Sequence, residues 1–127
     1  MSTSDKHTDA HLSLADENFR LARTLTELEP VPSRWVAVIS FYSAVHYLSA
    51  LFWEFERVEI TSHRQRGRLV RENPLAVPIK EFYERLYYRS LEARYHPNVR
   101  SSESIALDML ESNLGQVRSH ILWHLHR

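Results

Sequence analysis

The sequence predicts an all-α fold, an up-and-down bundle of four long helices plus one short helix. Three observations predict it. The stretch Trp35–Phe55 is the longest apolar run and carries no charge before Glu54. Its apolar residues fall on every side of a helix, which places it at the centre of a bundle or in a membrane. Other segments repeat apolar residues at three and four positions, the period of a helix with one buried face. Finally, the chain has only two glycines, and no segment alternates apolar and polar residues between turn signals.

Taken in order, residues 1–8 read as a disordered tail, polar and without the apolar core of a signal peptide. A helix is expected from about Asp9 to Leu28, with Leu12, Ala15, Phe19, Ala22 and Leu25 on one face and Thr8 or Asp9 as its cap. Pro30 and Pro32 end it. The second helix starts near Ser33 and runs to about Val58, roughly 38 Å at 1.5 Å per residue. Its uncharged part approaches the ~20 residues of a membrane span. It also holds three serines, two tyrosines and His46, and the neighbouring helices need a face to bury against. A buried core helix, with no membrane, is therefore expected.

Ser62 caps a short basic helix that Asn73-Pro74 stops, with Gly67 inside it. A fourth helix begins after Pro78, with Ile79, Phe82, Tyr83, Leu86, Ser90 and Ala93 inward, and breaks at His96-Pro97. The last starts at Ser101 or Ser102 and follows Leu107, Leu110, Leu114, Val117, Ile121 and Leu125. Residues 9–127 are thus expected to form a single domain of ordinary size, with mean hydropathy −0.41.

The chain has no cysteine, which excludes disulfides, thiol catalysis and Cys-ligated metal. Its net charge of zero argues against a bulk electrostatic grip on nucleic acid or membrane. That zero hides a split: residues 1–60 sum to −4, residues 61–100 to +5 and residues 101–127 to −1. The basic middle is also aromatic, with Phe82, Tyr83, Tyr87, Tyr88 and Tyr95 among Arg85, Arg89 and Arg94. Arginine beside aromatic rings suits phosphate binding with base stacking. The bland alternative is that Arg64, Arg66, Arg68 and Arg71 are a solvated face and the tyrosines are core.

Three blocks carry a resemblance. They are Phe41-Tyr42-Ser43-Ala44-Val45-His46, then Ser62-His63 with Arg66, then Arg89-Ser90-Leu91-Glu92-Ala93-Arg94-Tyr95. Together they resemble the HEPN superfamily, in the branch with a YYA-like block, a downstream histidine and an R-x-x-x-A-D-Y block. The resemblance covers roughly residues 11–125. It implies a small helical bundle that dimerises, works in toxin–antitoxin, phage-defence or RNA-processing systems, and often has a nucleotidyltransferase partner. Active relatives are metal-independent endoribonucleases with an R-x(4–6)-H motif. Arg89 and His96 fit that spacing, as do Arg57 with His63 and Arg118 with His124. Ser90 stands where the motif arginine is usually followed by Asn or Asp, and Arg94 where this branch often has Asp.

The resemblance nominates Arg89 and His96 as catalytic. His46, His63, Arg66, Arg94, Tyr95 and Tyr42 are nominated for substrate or phosphate binding. His46 also reads as a hydrogen-bonded core histidine, His63 as a surface residue, and Arg89 as a partner of Glu92. His120 and His124 have chelating spacing, but Ile121 replaces the glutamate of a metalloprotease helix, and they read better as helix-end histidines. No metal and no cofactor are expected. Three functions stay open: a cytoplasmic HEPN-like module binding RNA or nucleotide, a metal-independent endoribonuclease, and a non-catalytic interaction or dimerisation domain.

Overall fold

The computed structural model describes residues 5–99 and 102–126. The protein is an all-α helical bundle, with no strand among the described residues. Helix α1 is Lys6–Leu25, α2 is Ser33–Glu56, α3 is His63–Glu72 and α4 is Lys80–Tyr95, entered through a 3-10 turn at Val77–Ile79. Helix α5, Glu103–Asp108, passes into a π segment, Met109–Leu114, and then into α6, Gly115–Leu125.

Helix α2 is the buried centre. Phe41, Tyr47, Leu48, Leu51 and Phe52 are fully buried along it. It is long and apolar enough to cross a membrane, yet 72% of its most apolar window is buried inside the bundle. The other elements bring apolar stripes to it: Ala15 and Ala22 from α1, Tyr83 and Leu86 from α4, Leu114, Val117 and Ile121 from the last rod.

Four expectations are corrected. The first helix begins at Lys6, not Asp9, because Asp5 is its cap: the carboxylate accepts from the backbone N–H of His7 at 2.8 Å and Thr8 at 3.3 Å. Residues 5–8 are therefore not tail. Thr8 is buried and donates to Glu54 at 2.9 Å. Residues 1–4 of the expected tail lie outside the described residues. That helix also ends at Leu25 rather than Leu28, where tighter bonds such as Glu27 N to Thr24 O take over.

Helix α2 stops at Glu56 rather than Val58, because Arg57 turns left-handed at φ 53°. The bond from Val58 N to Phe52 O closes that end. In the last rod, the π segment adds a residue to one turn and rotates everything before it. Ala106 and Met109 face the core there, while Leu107 is only half-buried.

Two polar devices tie the bundle together. The buried Tyr47 of α2 donates its hydroxyl to Asp16 of α1 and accepts from Arg118 Nε of α6 at 3.0 Å. Burial and Asp16 push the Tyr47 hydroxyl well above its usual range, so it stays protonated as the donor. At the other end, Arg34 Nη1 donates to the carbonyls of Ala93 at 3.1 Å and His96 at 3.4 Å. Its Nη2 donates to those of Pro97 at 2.8 Å and Val99 at 2.6 Å. One guanidinium thus gathers a carbonyl of the last turn of α4 and three carbonyls of the chain just beyond it.

Arg34→Ala should destabilise the protein by about 1–2 kcal/mol. Amide exchange at His96 and Val99 should rise with it, and Arg34→Lys should recover only part of the loss, since an ammonium cannot bridge four carbonyls. Unchanged exchange at those amides would contradict the capping role.

Candidate functional site

The basic helix and the aromatic helix face each other across a cleft of about 410 Å³. Ser62 starts α3 by accepting from Gln65 N at 3.1 Å, and that start sets which face looks at α4. Arg64, Gly67 and Arg71, spaced at three and four residues, form the α3 wall. Glu84, Tyr87 and Tyr88 share one face of α4 by the same rule and form the opposite wall. Val70 and Tyr83 line the cleft between them, and the exposed His63 joins it at the start of α3. Gly67 leaves room in the α3 wall: a Cβ there would meet Arg71 Nη1 at 3.0 Å.

Arg66 does not line the cleft but lies buried beside it, 6% exposed. It is not part of a solvated basic face. Its Nη1 lies 2.8 Å from His63 Nδ1. Arginine only donates, so Nδ1 must accept, which leaves the His63 proton on Nε2. Partial desolvation of the ring first, then Arg66 and Arg94, pull the His63 pKa below its usual range. Burial pushes the Tyr83 hydroxyl up, against the pull of Arg66 and Arg71. Two buried polar atoms here have no hydrogen-bond partner among the described residues: Arg66 Nε and Glu84 Oε1. Arg64, Arg68 and Arg71 form no ion pair among the described residues.

The nominated residues fall into three places. His63 and Arg66 belong to α3 and the cleft. Tyr42, Arg94 and Tyr95 gather where α4 ends against α2. There Arg94 donates to the Tyr42 hydroxyl at 3.2 Å and to the Ser90 carbonyl at 3.2 Å. Its guanidinium also lies over the rings of Phe41, Tyr42 and Tyr95, at 5.7, 5.7 and 5.1 Å. His46 faces α1 instead, with its Nδ1 3.1 Å from His11 Nδ1.

Arg89 and His96, the proposed catalytic pair, make no hydrogen bond to each other among the described residues. Arg89 is exposed, donates to Glu92 at 3.3 Å and lines a groove with Ser104 and Asp108 of the next helix. His96 sits beyond the end of α4, about two turns or roughly 10 Å further along the axis. His120 is not a helix-end histidine: its Nε2 donates to the Leu75 carbonyl at 2.6 Å and pins α6 to the segment after α3.

No protein-family model matches the chain, and neither a curated protein nor a solved structure matches it.

Sequence reasoning nominated neither Glu84 nor His11. Glu84 carried a usable signal, its place four residues before Tyr88 on one helix face. His11 carried none, since its partner lies 35 residues away.

The His11–His46 contact generates a pH dependence. Only one proton fits between the two Nδ1 atoms. Burial first, with His7, lowers the His11 pKa against an opposing pull from Glu59. Burial first, then His11 and Arg66, lowers that of His46. The unfolded chain protonates these rings near pH ~6.5 while the folded one resists, so stability is full above that value and falls below it. The melting temperature should therefore drop between about pH 7 and about pH 5. His46→Gln should flatten the drop; an equal slope in both proteins would contradict it.

Proposed function

We propose that this protein is a cytoplasmic HEPN-like helical module, of toxin–antitoxin or phage-defence type, that binds single-stranded RNA or nucleotides through the α3–α4 cleft. In this reading the four long helices and the short basic one form the HEPN-like arrangement, the module is a homodimer, and a nucleotidyltransferase is its partner. One observation carries the binding reading: two arginines without ion pairs stand across a cleft from two accessible tyrosine rings.

The chemistry follows from that juxtaposition. A guanidinium offers paired N–H donors to phosphate oxygens. A tyrosine face stacks on any base, worth about 1–3 kcal/mol per base. The neutral His63 keeps its Nε2–H as a further donor at the cleft. The cleft volume lies within the ~300–1,000 Å³ typical of small-ligand sites. Arg94, Tyr42 and Tyr95 extend the basic and aromatic surface along α4, a path for a longer strand. Binding rather than cleavage is favoured, because Arg89 is engaged by Glu92 rather than by His96.

Fluorescence anisotropy with a short labelled oligoribonucleotide tests this. Affinity should fall as salt rises, by a slope of about 0.7 per phosphate neutralised. Arg64→Ala with Arg71→Ala should weaken binding by about tenfold or more and lower that slope. Arg89→Ala should leave it unchanged. Gly67→Ala should strengthen the isolated helix by up to about 1 kcal/mol, yet weaken binding by displacing the Arg71 guanidinium. No binding at low salt, or binding indifferent to the arginine pair, would overturn the reading.

A further inference from the structure

Resting on the nucleotide-binding reading above, we infer that the cleft prefers guanine, with Glu84 reading the base's Watson–Crick edge. Glu84 lines the cleft, and its Oε1 is shielded from solvent with no hydrogen-bond partner among the described residues. A carboxylate oxygen in that state is costly unless something supplies an N–H or O–H. The donor does not come from the facing arginines, since Glu84 forms no ion pair with Arg64 or Arg71 among the described residues.

The surroundings restrict what the donor is. Tyrosine rings with an acid would suit an organic cation in other company. Here Arg64 and Arg71 occupy the opposite wall and the buried Arg66 lies behind His63, and that positive field opposes a cation. The ligand that fits all three features carries negative charge for the arginines, a flat ring for the tyrosines, and neutral N–H donors for the acid. That is a nucleotide whose base presents donors.

Among the bases, guanine alone presents two adjacent donors on its Watson–Crick edge, N1–H and the N2 amine, matching the two oxygens of a carboxylate once a turn of the Glu84 side chain brings the shielded Oε1 into the cleft. Adenine and cytosine each offer one amine beside a ring acceptor, which a carboxylate repels. Uracil offers one N–H between two carbonyls. The placement is suitable too: Glu84 and Tyr88 are four residues apart on one helix face, so a base stacked on that tyrosine lies beside the acid.

Calorimetric titration of the full chain with GMP, AMP, CMP, UMP and IMP tests it. GMP should bind about tenfold or more tighter than AMP, CMP and UMP, in the range a bidentate base contact gives. IMP, which lacks the N2 amine, should fall between. Glu84→Gln replaces one acceptor with a donor, so it should lose the GMP preference and gain affinity for AMP. IMP needs no variant, so the outcome does not depend on Glu84→Gln folding. If the five nucleotides bind equally, or IMP binds as well as GMP, the guanine inference fails and the nucleotide-binding reading stands. If none binds, the guanine inference fails, and the binding reading falls with it only if the labelled oligoribonucleotide does not bind either.

Discussion

The structure depends on burying a helix that has no polar side. Every face of α2 must be covered, so the remaining elements are arranged by what each can lay against it. Small residues let them come close: Ala37, Ala44 and Ala50 are buried along α2, as are Ser40, Ser43 and Ser49. Ser43 repays its burial by donating to the Ala15 carbonyl of α1 at 2.8 Å. Large residues fill what is left, each worth about 1.5–3 kcal/mol when removed from water.

Phe41 is where this core becomes a site. It is fully buried on α2, yet its ring lies 5.8 Å from His63, 6.0 Å from Tyr83 and 5.6 Å from Tyr87. Arg94 also covers it. The start of α3 and the middle of α4 therefore rest on one ring of the spine. Their separation, and with it the width of the cleft, follows from the core. Polar contacts then set orientation: Arg66 holds the His63 tautomer, Arg94 holds Tyr42, and Arg34 holds the end of α4.

Much of the architecture was legible because burial imposes a period. The stripes of α1 and α4 and the uncharged run of α2 follow from one rule, that apolar faces seek cover. What stayed hidden lacked a period. The Asp5 cap competes with several equally good capping residues nearby, and only tertiary contacts of Thr8 and Asp5 select it. The π segment leaves no mark on residue spacing except the displaced Leu107. The site was legible as a composition, basic and aromatic, but not as a geometry. Arg66 looked like its neighbours Arg64 and Arg68, yet its position on α3 turns it inward. Arg89 and His96 matched a spacing, while Arg89 bonds Glu92 instead.

In the proposed reading, the arginine wall of α3 and the tyrosine wall of α4 form one ligand site supported by α2. Amide chemical-shift mapping during titration with a mononucleotide tests it most directly. With one shared site, the largest shifts should fall in His63–Arg71 and Glu84–Tyr88, with the middle of α2 responding only near Phe41. Largest shifts around Arg89, Ser104 and Asp108 instead would contradict it.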